Sequence, residues 1–322
     1  MSSSEKPLSF SAALTSVVGQ DEIIDFSRAD VCAAIEPHIE KCRQLRTYFQ
    51  EQDKKKYGYT SILEVCNHAS LLPMIQEVDL SYDTNRYPLA DEFASMLGLA
   101  TVSSLETLHL SYNRDRGQLK DRGEKRALMS PITNISSRQS FHKTFLDFVL
   151  TYIGPHLRHT NECTQFYFQS FPCIRVVRPG EFSIGPHCDS SYGFNQANVN
   201  FYVPLTKIYG TNSLVLESFP GQENWHLIDS KYGGIKRFWG AQCSHFTVEN
   251  HTSQTRISLD FRVVDSRFWI PDHDQFSSTS GYYALATYDI DTDSWSVIGD
   301  IGEPDYRVGF PFERGTVKTK SV

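Results

Sequence analysis

The sequence predicts an α+β fold, on three observations. The first 160 residues carry helix formers with apolar residues recurring every three or four positions. From residue 165 the apolar period changes to two, and the runs that carry it are short and separated by turn residues. Helices first and strands afterwards, with no repeat or low-complexity tract between them, fit a single domain over residues 1–322. It divides into a mainly helical part to about 160, a β core over about 165–265 and a C-terminal extension over about 270–322.

In chain order, helices are expected from about Arg28 to Gln52 and from Thr60 into the seventies. Lys54, Lys55 and Lys56 form a solvated helix end between them. The clearest helix spans about 139–158, where Phe141, Phe145, Phe148, Val149, Tyr152 and Ile153 share a face that must be buried. Residues 113–126, NRDRGQLKDRGEKR, break all periodicity and read as a surface loop, with a lid over a site as the other reading. Eight β runs follow: QFYFQSF, IRVV, NVNFYVPL, NSLVLES, WHLI, IKRFW, CSHFTV and TRISLDFRVV. Turn residues such as Pro179-Gly180, Pro220-Gly221 and Gly233-Gly234 punctuate them. This pattern describes a sandwich, jelly roll or barrel.

Composition narrows the class of partner. At 322 residues the chain can bury a sizeable core, and 40% apolar with 21% charged residues is ordinary globular usage. A formal charge of −7 favours neither nucleic acid nor a membrane surface, which leaves a small-molecule partner and leaves the oligomeric state open. Seven scattered cysteines without a Cys-x-x-Cys pair read as free thiols. There is no signal-peptide pattern at the N-terminus and no apolar run of membrane-spanning length, so the expectation is a soluble cytoplasmic protein.

Two runs have polar faces unlike an open surface. In 255–263, Ile257, Leu259, Phe261 and Val263 alternate with Arg256, Ser258, Asp260 and Arg262. In 198–203, Val199, Phe201 and Val203 oppose Asn198, Asn200 and Tyr202; Gln165, Tyr167 and Gln169 alternate with Phe166 and Phe168. Amides, tyrosine and arginine, in place of the Lys and Glu of open surfaces, suggest that the second face lines a polar pocket. A simple solvent face is the plainer alternative.

Of the eleven histidines, only His187 has Asp at i+2, in GPHCDSSYG. At a strand end, i and i+2 project to one side, so His187-x-Asp189 can offer two metal ligands from one short piece of backbone. His38-x-Glu40 cannot, because it falls in a predicted helix. A third ligand would come from a later histidine. His226, His245, His251 and His273 follow, of which His245 sits in a strand-like run, His226 could line the pocket, and His251 and His273 read as surface residues. Eleven residues after His245 stands Arg256, whose guanidinium fork on a polar inner face suits a carboxylate, with Ser258 pointing the same way.

His187-x-Asp189, His245 and Arg256-x-Ser258 together resemble the iron(II)/2-oxoglutarate-dependent oxygenases. The stretches GPHCDSSYGFNQANVNFYVPLTKIYGTNSLVLESFPG and HFTVENHTSQTRISLDFRV look like the streptomycin-biosynthesis-type members of that superfamily, those of sporadic carbohydrate and natural-product clusters. The likeness covers about 165–265. It implies a double-stranded β-helix, a jelly-roll, cupin-like core, with N-terminal helices packed on the major sheet. It further implies His187, Asp189 and His245 as Fe(II) ligands, and Arg256 and Ser258 as ligands of the distal carboxylate of 2-oxoglutarate. Asn200 and Gln169 are expected as further contacts.

The activity so implied is oxidation of a small polar metabolite by O2, coupled to decarboxylation of 2-oxoglutarate to succinate and CO2. Halogenating relatives replace the carboxylate ligand with a small residue, so Asp189 points to hydroxylation, with desaturation, epoxidation and cyclisation as the other outcomes. The alternatives are a cupin-like metal-dependent isomerase or lyase and a non-catalytic β-sandwich module. Glu217, Glu223 and Asp229 are candidates for attracting a cationic group at the pocket edge, and the Tyr82 to Tyr87 stretch is a candidate lid.

Overall fold

A computed structural model describes residues 17–19, 24–66, 68–111, 135–270 and 281–299 of the chain. All eight expected β runs form strands, in two facing antiparallel sheets. After helix α1 (Ala29–Tyr57), helix α2 (His68–Ile75), strand β1 (Val78–Ser81), helix α3 (Leu89–Met96), helix α4 (Ile135–Phe148) and helix α5 (Gly154–Asn161) come β2 (Gln165–Gln169), β3 (Cys173–Val177), β4 (Val199–Pro204), β5 (Leu214–Leu216), β6 (His226–Leu227), β7 (Gly234–Phe238), β8 (His245–Thr247), β9 (Arg256–Asp265), β10 (Tyr283–Asp289) and β11 (Ser294–Ile298). A five-residue π-helical turn, Val149–Ile153, joins α4 to α5, so the single helix expected over 139–158 is continuous but locally widened and underwound.

Among the described residues the major sheet has eight strands in the order β1-β7-β4-β9-β2-β10-β11, with β3 also on β9, and the minor sheet is β6-β5-β8. The backbone of His187 bridges to His245 and so adds the 187 segment to the minor sheet beside β8. Successive runs alternate between sheets: β3, the 187 segment, β4, β5 with β6, β7, β8, β9. That alternating winding is the double-stranded β-helix. Strand β1 and the β10–β11 hairpin extend the major sheet at its two edges; the sequence patterns did not reveal them.

The period-two pattern of β9 places Ile257, Leu259, Phe261 and Val263 in a fully buried layer with Phe141, Phe145 and Phe148 of α4. Phe145 meets Phe261 edge-on at 5.2 Å, and Phe201 of β4 stacks on Phe261 at 5.4 Å. Each such ring contributes roughly 1.5–3 kcal/mol by burial. Helices α4 and α5 thus cover the outer face of the major sheet, as expected, and α3 packs on α4 through Phe93 and Phe141. Helix α1 does something else: Val31, Ala34, Ile35, Ile39 and Cys42 pack on Val215, Phe246 and Val248 of the minor sheet. Its amphipathic spacing foretold a buried face but not which sheet would cover it. Gly58, in the left-handed region at φ 86°, ends α1 where an L side chain would be strained.

No helix among the described residues is long and apolar enough to cross a membrane. All seven cysteines are described and none forms a disulfide. Residues 113–126 and His273 lie outside the described residues.

Candidate metal and co-substrate site

The inner faces of the two sheets converge on His187, Asp189 and His245. His187 and His245 sit opposite each other and exchange both backbone hydrogen bonds, His187 N–H to His245 O at 3.1 Å and His245 N–H to His187 O at 2.8 Å. Directly opposed residues present their side chains to one face, which brings the two imidazole centroids to 4.1 Å. Cys188 is extended (φ −119°, ψ 154°), so Asp189 returns to the side of His187 and then starts a 3-10 turn. Cys188 turns its Sγ to Ser190 Oγ at 3.4 Å and takes no part in the group. Among the described residues these three are the one group of His, Cys, Asp or Glu whose donor atoms all fall within 4.8 Å.

Each ligand candidate is oriented by a second bond. His187 Nδ1 meets Gly185 O at 2.8 Å and His245 Nδ1 meets Cys243 O at 3.0 Å, which leaves both Nε2 lone pairs facing the centre. Burial, then the neighbouring His187, pushes the His245 pKa down to about 4, favouring the neutral imidazole that a metal needs. Asp189 Oδ2 accepts from Arg262 Nε and from Asn200 Nδ2, both at 2.8 Å. Its other oxygen, Oδ1, is buried with no hydrogen-bond partner, 3.6 Å from His187 Nε2 and 3.9 Å from His245 Nε2. Burial works against the carboxylate charge, but Arg262 and the two histidines outweigh it and hold the pKa well below the usual range. Two imidazole lone pairs and one aimed carboxylate oxygen are the donor set that iron(II) takes in a facial triad.

Beside the triad lies a small cleft, with about 20 Å³ open to the centre of a water-sized sphere, lined among others by Asn200, Tyr202, Arg256 and Asp260. Arg256 donates from Nη1 to Asn212 O at 2.8 Å, while its Nε, Ser258 Oγ and Tyr202 Oη are buried without partners. A buried polar atom left unpaired costs about 1–3 kcal/mol. Three of them on neighbouring positions of β4 and β9 fit an oxyanion such as the distal carboxylate of 2-oxoglutarate.

The remaining candidates fall as follows. Asn200 lines the cleft and bridges Asp189 to Asp260 Oδ1 at 3.3 Å. Gln169 accepts from Arg262 Nη1 at 3.2 Å and is not among the cleft-lining residues. His226 bonds Glu77 at 2.9 Å, away from the cleft, and His251 is largely buried near Glu249. The three pocket-edge carboxylates are already engaged. Glu217 is fully buried on Arg46 and the Ser244 and Gly221 amides, Glu223 is paired with Arg43, and Asp229 accepts from Ser213. Tyr82 and Tyr87 pack against Phe148 rather than over the cleft. Arg262, Tyr202 and Asp260 were placed on the polar faces from sequence but given no role, and Arg175 was missed. The available signal was the alternation of β9, which puts Asp260 and Arg262 on the face of Arg256 and Ser258.

No family model matches the chain. It is 26% identical to the streptomycin biosynthesis protein StrG of Streptomyces griseus over 222 residues, 67% of this chain and 98% of that one. Solved structures that partly overlay it include a non-heme monooxygenase, the ThoJ–Ni complex (TM-score 0.34, 13% identity, 62% of this chain and 78% of that chain). The epimerase SnoN from nogalamycin biosynthesis gives 0.36, 12%, 62% and 81%, and EctD from S. alaskensis gives 0.36, 8%, 65% and 80%. The chain thus combines a double-stranded β-helix and a His187-Asp189-His245 grouping with a sequence similar to the streptomycin biosynthesis protein StrG.

Proposed function

We propose that the chain is an Fe(II)/2-oxoglutarate-dependent oxygenase that hydroxylates a small polar metabolite. The observation that carries this is the set of buried polar atoms left without a protein partner: Asp189 Oδ1 between two oriented imidazoles, Arg256 Nε and Tyr202 Oη of the cleft-lining residues, and Ser258 Oγ two positions along β9 from Arg256. His187, Asp189 and His245 would hold the metal, and Arg256, Ser258 and Tyr202 the distal carboxylate. When bound, iron(II) and 2-oxoglutarate supply an oxidation by O2 coupled to release of succinate and CO2.

The protein's own part is to bind, orient and exclude water. Arg262 and Asn200 fix the Asp189 carboxylate so that one oxygen faces inward, and Gly185 and Cys243 fix the imidazole tautomers. The fully buried β9 layer keeps the site's walls rigid. A carboxylate at position 189 leaves no vacancy for a halide, which favours hydroxylation over halogenation. Arg256 and Ser258 speak against an isomerase or lyase that uses the same barrel without 2-oxoglutarate.

The test is anaerobic addition of Fe(II) and 2-oxoglutarate, which should produce a weak visible charge-transfer band. Metabolites can then be screened for stimulated succinate release, with a mass gain of about 16 marking hydroxylation and a loss of about 2 marking desaturation. Absence of the band with both ligands in excess would refute the assignment.

A further inference from the structure

The cleft holds a charged pair that the roles above leave unexplained. Arg175 lies on β3 directly opposite Ser258 of β9, so its side chain shares the inner face with Arg256, Ser258 and Asp260. It is 7% exposed and lines the cleft together with His187, His245 and Arg256. Among the described residues its guanidinium makes one hydrogen bond, from Nη2 to Asp260 Oδ2 at 3.2 Å. Nε and Nη1 make none, although a guanidinium has five N–H donors. Asp260 is shared, since its other oxygen takes the Asn200 amide.

The charges on this face do not cancel. Arg175, Arg256 and Arg262 face two carboxylates, Asp189 and Asp260, which leaves one excess positive charge. The nearby pairs Arg46–Glu217 and Arg178–Glu181 are internally neutral. A divalent cation adds two positive charges and a 2-oxoglutarate dianion removes two, so the loaded site keeps the same single excess. Uncompensated charge in a buried setting is costly, and with Arg256 given to the co-substrate carboxylate the residue whose donors remain open is Arg175.

We propose that the primary substrate carries an oxyanion, and that Arg175 receives it through the unused edge of its guanidinium. A carboxylate matches that fork best. The inference rests on the oxygenase reading and deepens it: the oxidised metabolite is anionic, and a cationic one is disfavoured by the same residue. Asp260 acts as a positioning residue that holds the Arg175 plane toward the cleft.

The probe is acetate, titrated into protein loaded anaerobically with Fe(II) and saturating 2-oxoglutarate. Binding is followed by calorimetry and by perturbation of the visible band, with ethylammonium as the cationic control and inorganic sulfate as a second oxyanion. Acetate should bind the wild-type protein, Arg175→Gln should weaken it at least tenfold, and Arg175→Lys, which keeps the charge but loses the fork, should fall between. Ethylammonium should not bind. Both variants should form the 2-oxoglutarate band at wild-type 2-oxoglutarate concentrations, which also establishes that they fold. Equal acetate affinity in Arg175→Gln, stronger binding of ethylammonium, or loss of the 2-oxoglutarate band in Arg175→Gln alone would each overturn the proposal. The last result would make Arg175 a co-substrate ligand instead. Loss of the band in the wild type would refute the oxygenase reading and the substrate inference with it.

Discussion

Gly240 offers the sharpest test of how the triad is held. A Cβ at this position would lie 2.6 Å from Asn200 Cγ and 2.7 Å from both amide atoms, where ordinary contact starts at 3.4 Å. Gly240 is not in the positive-φ region, so alanine meets no backbone penalty and its effect is the clash alone. The Asn200 amide must retreat by about 0.8 Å, the difference between those two distances, which breaks its 2.8 Å bond to Asp189 Oδ2. Loss of a hydrogen bond to a buried carboxylate, or the overpacking that would preserve it, costs about 2–3 kcal/mol. With an unfolding entropy of roughly 2.1 cal/mol/K per residue, the melting temperature of Gly240→Ala should drop by about 3–4 °C. Co(II) affinity, read from its visible spectrum, should fall at least about tenfold because a bond that orients a ligand is gone. In an Asn200→Ala background the clash disappears, and adding Gly240→Ala should then cost less than about 0.5 kcal/mol. Equal costs in the two backgrounds would show that Asn200 does not transmit the effect, and the account of Asp189 would be wrong.

His187→Ala should abolish both the anaerobic 2-oxoglutarate band and succinate release while leaving a cooperative melt; retained succinate production would sink the triad. Arg46→Met leaves Glu217 fully buried without its cation, which should destabilise by roughly 3–5 kcal/mol, whereas the double variant Arg46→Met/Glu217→Leu should recover most of that loss in thermal melts. The His226 pKa is raised, first by its bond to Glu77. Its stabilisation is therefore complete below the unfolded value of about 6.5 and is lost as pH rises through the raised folded value. The melting difference between wild type and His226→Gln should be largest at acidic pH, stay under about 1 kcal/mol because the ring is one-third exposed, and shrink above neutrality.

Much of the core was legible because a period of two is a strong local signal. Ile257, Leu259, Phe261 and Val263 announce a buried face, and the residues between them announce a polar one. His187-x-Asp189 was legible for the same reason, since the alternation that brings their side chains to one side also turns Cys188 aside. What was not legible is pairing across sheets. That α1 covers the minor sheet depends on Phe246 and Val215 being free on that side, and nothing in the spacing of α1 names them. Glu217, Glu223 and Asp229 looked available as isolated letters; Arg46 and Arg43, the partners of the first two, lie more than 170 positions away. Arg262 was visible on the right face, but only the fold shows that Asp189 is what it touches.

Stability and function pull in opposite directions on β9. Arg262 is paired with Asp189, and Arg175 makes one bond to an Asp260 that it shares with Asn200; Arg256 has only the Asn212 carbonyl, and burial together with the Arg175 charge works against its ionised form. An unpaired buried cation of this kind is destabilising; under the proposed function the co-substrate carboxylate would relieve it. Replacing Arg256 by Met and Ser258 by Ala removes the charge and an orphaned hydroxyl without changing the apolar layer behind them. Without 2-oxoglutarate, the double variant should therefore melt at or above the wild-type temperature, by up to about 4 kcal/mol of added stability. At 2-oxoglutarate near 100 times its dissociation constant the wild type should gain about 2.7 kcal/mol and the variant nothing, reversing or narrowing the order. If the variant is less stable than wild type without 2-oxoglutarate, Arg256 is paired in some other way, and the orphaned atoms no longer mark a co-substrate site.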